Sequence, residues 1–133
     1  MNTEIFSYPI LIKENHLDMF GHVNNATYLE LLEEARWDII TKNGYGLSII
    51  QKTGIGPIIL EINIKFLNEI KLRENIIINT KLISYEGKKI ILEQQILRNE
   101  ELCSIAEFTI ALFDIKHRKL VSPTPEWLKS IGA

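Results

Sequence analysis

The chain has a single cysteine, Cys103, so no internal disulfide can form and a reducing compartment suits it. One Cys and three His also leave little from which to build a zinc site. A basic excess is missing. The net charge is -2 and the pI about 5.9, whereas a nucleic-acid binder shows a basic patch and a raised pI. No apolar run reaches the roughly 18 residues that a membrane span needs. The opening stretch, MNTEIFSYPILIKE, lacks the basic start and apolar core of a signal peptide. Internal repeats, linkers and low-complexity segments are also absent. The expectation is a cytoplasmic protein with no metal, no nucleic-acid partner and no membrane span.

What is present points to one domain over residues 1–133, a length that can bury its own core. Hydrophobic residues make up 46% and charged residues 24%, the balance of a folded chain. Ile occurs 24 times, mostly in runs that read as strands. A first strand is predicted over Glu4 to Lys13, and a polar loop over Glu14 to Val23. Tyr28, Leu31, Leu32, Ala35 and Ile39 fall at helical spacing, so a helix is predicted from Asn25 to about Lys42. Leu29, Trp37 and Ile40 widen its apolar face, which implies packing on more than one side. Asn24 or Asn25 suits its N-cap, and Asn43-Gly44 its stop. Glu33 and Arg36 are expected to pair on its wet side.

Gly44 to Gly56 is read as a loop with one helical turn, capped by Gly46 or Ser48. Four strands come next: Pro57 to Phe66, Asn75 to Tyr85, Lys88 to Arg98 and Leu102 to Asp114. Tight turns at Glu86-Gly87 and Asn99 to Glu101 imply an antiparallel meander. Pro125 sits at the first turn of a short closing helix. One helix followed by a run of strands is an α+β pattern, with five antiparallel strands curved round one long central helix.

The stretch HLDMFGHVNNATYLELLEEARWD, His16 to Asp38, concentrates polar groups just ahead of that helix. A helix N-terminus has unpaired amides and a partial positive charge, so it can hold an oxygen that is becoming negative. Carbonyl hydrolysis creates such an oxygen. A nearby carboxylate can activate water or attack the carbonyl itself. Asp18 precedes the helix by six or seven residues, and Gly21 lets the loop turn back or a substrate approach the backbone. Spacing alone is equally satisfied by ordinary loop punctuation, with Asp18 a turn former and His22 a loop residue.

The same stretch resembles the hotdog-fold acyl-CoA thioesterases of the hydroxybenzoyl-CoA thioesterase kind. The shared pattern stands here as Asp18, Gly21-His22-Val23-Asn24-Asn25, Tyr28 and Glu33-Glu34-Ala35-Arg36. Within that group it looks most like the bacterial long-chain enzymes. The resemblance implies a hotdog fold, acyl-CoA as substrate, and Asp18 as catalytic carboxylate. It implies a thioester carbonyl held by backbone amides near a helix N-terminus. It also implies no metal and no cofactor, coenzyme A being part of the substrate. Self-association is implied as well: dimers whose sheets join edge to edge, with two sites at the interface, and tetramers built from them. Two departures stand out. His16 occupies a place where many relatives carry Asp, and Leu67 to Asn75 replaces a Pro and Gly-Asp turn.

Among the site residues, Asp18 is expected to be the base or nucleophile. His22 orients Asp18 or the thioester, or ties the loop. Asn24 and Asn25 cap the helix, while their amides and that of Val23 are candidates for the carbonyl site beside Gly21. Tyr28 packs in the core, and its hydroxyl, one turn into the helix, is a candidate to reach the pocket. Leu29 and Leu32 are candidate walls for the acyl chain, and Phe20 and Tyr45 candidate gates. Lys88-Lys89 and Lys116 to Lys119 are within the chemistry of phosphate binding, but read better as solvated turns. The alternatives carried are a carrier-protein thioesterase, a hotdog hydratase or dehydratase, and a non-catalytic acyl-CoA binding module.

Overall fold

Asn24 starts the central helix, α1 (Asn25–Lys42), its side-chain oxygen accepting Ala26 N–H at 2.9 Å. The structure is a computed structural model and describes residues 4–133. Asn25 Oδ1 lies 3.0 Å from the same N–H. Asn24→Ala is therefore expected to cost only about 0.5 kcal/mol in urea unfolding, the low end for a lost cap. Tyr28, Leu31, Leu32, Ala35, Ile39 and Ile40 form the buried stripe. Asn43 and then Gly44, at φ 91°, end the helix.

The remaining elements are β1 (Ile5–Leu11), a 3-10 turn (Glu14–His16), α2 (Leu47–Thr53), β2 (Ile55–Phe66), β3 (Asn75–Glu86), β4 (Lys89–Arg98), β5 (Glu101–Asp114), β6 (Lys119–Val121) and α3 (Pro125–Ser130). One antiparallel sheet runs in the order β1-β3-β4-β5-β2. The short β6 pairs Leu112 to Asp114 of β5, past the last β4 partner at Ala111. The sequence pattern missed β6, because three residues beside a charged turn carry no strand signal. It also shortened α2, which makes two turns from its Gly46 N-cap rather than one.

Register shifts at Leu60, Ile83 and Cys103 insert an extra residue into β2, β3 and β5. Bulges increase local twist and bend the strand. The sheet curls, and its inner face covers α1 with Ile76, Ile78 and Leu82 of β3, Ile90, Leu92 and Ile96 of β4, and Phe108 and Ile110 of β5. This is the hotdog architecture that the resemblance implied.

Polar side chains pin the helix to the sheet. Gln94 is fully buried on β4, and its Nε2 donates to Leu32 O at 3.1 Å and to Thr80 Oγ1 at 2.9 Å. Gln94 Oε1 accepts from Arg36 Nη1 at 2.9 Å. The guanidinium also lies over the Phe108 ring, 4.1 Å from its centroid. The expected Glu33–Arg36 pair on the wet side is thus corrected. Burying the apolar stripe carries Arg36 inward to two partners on the sheet, and Glu33 stays exposed. Burial lowers the Arg36 pKa to about 10, against the opposing pull of the Glu33 charge.

Candidate active site

The loop ahead of α1 is closed by its own hydrogen bonds. Asp18 N–H donates to His22 O at 3.0 Å and Gly21 N–H to Asp18 O at 3.2 Å. The tight return puts Gly21 at φ 83°, a conformation glycine adopts without steric cost. Asp18 Oδ1 accepts Phe20 N–H at 2.9 Å. The other oxygen, Oδ2, stands 3.6 Å from His22 Nδ1, just beyond hydrogen-bond reach. The Asp18 side chain is 19% exposed and that of His22 35%. The carboxylate is therefore sheltered, with one oxygen held and one available.

Asp18, His22, Val23, Asn25 and Tyr28 line one open cleft of about 270 Å³. The loop and the first turn of α1 thus face a common space. Among the amides expected at the carbonyl site, two are already used. Val23 N–H donates to Ile70 O at 2.8 Å, and Asn24 N–H to His16 O at 3.1 Å. These bonds anchor the loop to the β2–β3 connection and to the 3-10 turn, so neither amide is left for a carbonyl oxygen. Asn25 N–H has no acceptor among the described residues. It is the first-turn donor left for a ligand oxygen. Gly21 and Asn24 shape the loop without lining the cleft.

The far wall consists of Phe66, Leu67, Asn68 and Glu69. Sequence reasoning missed these four, for they come at the end of β2, some forty residues after the loop. Tertiary hydrogen bonds seat them: Leu67 and Asn68 N–H both donate to Cys103 O, at 2.9 and 3.1 Å. The Tyr28 ring meets Phe66 edge-on at 4.8 Å, joining the two walls. Burial raises the Tyr28 pKa, so its hydroxyl stays protonated at neutral pH. Glu69 brings a second carboxylate, 3.2 Å from Lys71 Nζ.

Other expectations are redistributed. Phe20 does stand beside the cleft, 77% exposed and stacked on His22 with ring centroids 6.0 Å apart. Tyr45 does not, since it is buried against Trp127 and its hydroxyl donates to Ile55 O at 3.1 Å. Leu32 is sealed in the core and Leu29 faces outward, so neither lines the cleft. None of Lys88, Lys89 or Lys116 to Lys119 lines it either. His16 spends Nδ1 on Lys13 N–H at 3.0 Å, capping the 3-10 turn rather than replacing an acid in the cleft. The Leu67 to Asn75 connection is rebuilt around Glu74, whose carboxylate accepts Lys71 N–H at 2.6 Å and Arg98 Nη1 at 3.0 Å. Among the described residues no cluster of His, Cys, Asp and Glu could hold a metal ion, and no helix is long and apolar enough to cross a membrane.

Comparison with known proteins gives a consistent picture. Residues 12–131 match the thioesterase-like superfamily. The long-chain acyl-CoA thioesterase FadM of Escherichia coli is 34% identical over 115 residues, 85% of this chain and 86% of that protein. A crystal structure of YbaW, a probable thioesterase from Escherichia coli, superposes with a TM-score of 0.85 at 30% identity, covering 96% of this chain and 98% of the other. The fold also matches SAV2348 of Staphylococcus aureus, solved in complex with CoA. There the TM-score is 0.89 at 16% identity, over 98% of this chain and 84% of that one.

Proposed function

The chain belongs to the thioesterase-like superfamily and is a thioester hydrolase, and on that basis we propose that the Asp18 cleft is where acyl-CoA is cleaved. The observation that carries this is the meeting of a sheltered carboxylate and an unspent helix-terminal amide, Asn25 N–H, in one cleft. The amide and the positive end of α1 take the thioester oxygen as it gains charge. Asp18 removes a proton from the attacking water; the C–S bond breaks, and that proton leaves on the sulfur. Free acid and coenzyme A result. Direct attack by Asp18, giving an anhydride that water then opens, yields the same products. Phe20 N–H holds Oδ1, and His22, beside Oδ2, is the group that orients the thioester. Val23 and Tyr28 with Phe66 and Leu67 provide the apolar surface for the start of the acyl chain, and Asn24 and Gly21 keep the loop in place. A long acyl chain is the proposed preference, on the similarity to FadM. The cytoplasm is the proposed compartment.

Thiol release from a panel of acyl-CoA lengths tests this reading, with Asp18→Asn as control. Binding without thiol release would make the protein a carrier, and a modified acyl group without thiol release would make it a hydratase or dehydratase.

Self-association is proposed along β2. This strand is a sheet edge with Ile59, Leu60, Ile62 and Phe66 exposed. A long apolar edge is a template for pairing. A second copy seated there would stand next to the far wall of the cleft, which continues from the end of β2. Leu60→Lys with Ile62→Lys should shift the protein to monomer in sedimentation and lower turnover together. Unchanged mass in that variant would place the interface elsewhere.

A further inference from the structure

The connection from Asn68 to Glu74 touches both walls of the Asp18 cleft. On the far side Glu69 lines the cleft itself. On the near side Ile70 O accepts Val23 N–H at 2.8 Å, and Lys71 forms an antiparallel bridge with His22. Whatever fixes this connection therefore fixes the separation between the Asp18 loop and the end of β2. Ile70 is fully buried, but the other residues of the connection are exposed or half-buried. Polar bonds must do what a core would otherwise do. Several of them converge on one side chain. Arg98, the last residue of β4, donates from Nη1 to Glu69 O at 2.7 Å and to Glu74 Oε1 at 3.0 Å, and from Nη2 to the Glu101 carboxylate. Glu74 Oε1 in turn accepts Lys71 N–H at 2.6 Å. One guanidinium thus reaches the far wall directly, through Glu69, and the near wall by way of Glu74 and Lys71. A rigid planar fork spans several acceptors at fixed angles, whereas the ammonium of Lys is a single point charge. Bonds to an ionised partner are also shorter and stronger than neutral ones.

We propose that Arg98 is a positioning residue for thioester hydrolysis: through Glu69 O and Glu74 it sets the separation of the two walls, and so the placing of the thioester carbonyl between Asp18 and Asn25 N–H. Arg98 does not line the Asp18 cleft, so it acts on the reaction only through the connection. The leverage is large, because a misplacement of about 1 Å at a reacting centre costs up to about 100-fold in rate. The catalytic consequence rests on the proposed cleavage at Asp18. The strut itself does not.

Substitutions at the three ends of the guanidinium separate a strut from an ordinary ion pair. Arg98→Gln removes the whole set. Glu74→Gln keeps an acceptor for Lys71 N–H and weakens the arm to the connection. Glu101→Gln weakens the third arm, at the exposed start of β5, which bonds to neither wall. In thiol release from a long-chain acyl-CoA, kcat should fall about 10-fold for Arg98→Gln and about threefold for Glu74→Gln, with KM within about twofold of the wild type. Glu101→Gln should keep the wild-type kcat. Arg98→Lys restores the charge without the fork, so it should recover only part of the Arg98→Gln loss. A second readout is independent of catalysis. Amide hydrogen exchange at Val23 should speed up about 10-fold in Arg98→Gln and measurably in Glu74→Gln, while the core amides of β5 exchange as in the wild type. If Arg98→Gln does not fold, the contrast between Glu74→Gln and Glu101→Gln decides. Equal kcat in those two variants, or unchanged Val23 exchange in Glu74→Gln, would overturn the assignment. If turnover survives Asp18→Asn while Val23 exchange still responds, the catalytic consequence falls with the Asp18 reading and the strut stands, so the two failures are told apart.

Discussion

Asp18→Asn should lower acyl-CoA hydrolysis about 100-fold or more, the usual loss when a positioned base is removed. The change is nearly isosteric. Asn keeps the Oδ1 acceptor for Phe20 N–H, so the loop retains the bond that shapes it. What disappears is the carboxylate oxygen that stands 3.6 Å from His22 Nδ1. The loss should therefore fall on kcat rather than KM, since acyl-CoA still meets the same walls and the same Asn25 amide. Stability in urea should stay near that of the wild type. Turnover within about threefold of the wild type would remove Asp18 from the chemistry. Glu69→Gln is then the decisive companion, because Glu69 is the other carboxylate lining the cleft. A large loss there with a small one at Asp18 would transfer the role to the opposite wall.

The largest stability effect is expected from Phe108→Ala, at about 3–5 kcal/mol. Phe108 is almost fully buried on β5, between Ile62 of β2 and Leu92 of β4. Its removal leaves a void in the inner face of the sheet directly under α1. It also takes away the ring that lies beneath Arg36, which then keeps only Gln94 as a partner among the described residues. Phe108→Leu separates the two effects. It fills most of the volume and loses only the ring face, so it should cost about 1.5 kcal/mol or less. Urea unfolding followed by circular dichroism measures both. A cost under about 1 kcal/mol for Phe108→Ala would mean that α1 is not held by this contact.

Local signals gathered the candidate loop well and the state of its main-chain donors less well. Asp18, His22, Asn25 and Tyr28 do meet in one cleft. They lie within eleven residues, so a turn and the first turn of a helix suffice to gather them. The amides were a different matter. Val23 and Asn24 look identical to Asn25 as main-chain donors, and only their partners at Ile70 and His16 show that two of the three are spent. Tyr45 shows the same limit. A glycine-flanked aromatic suggests an exposed gate, but α2 and α3 fold over it and the ring joins the core against Trp127.

From the residues alone came the α+β class, the bounds of α1, the meander of β3 to β5 and the loop with its acid. Each depends on periodicity or turn chemistry within a short window, where neighbouring residues share one backbone geometry. Folding alone could bring Phe66 to Glu69 across from Asp18, turn Arg36 toward Gln94 and Phe108, and bury the Trp127 ring against Tyr45. Those outcomes depend on which surfaces meet when a bulged sheet closes on a helix. That is a property of long-range packing, and no short window of sequence contains it.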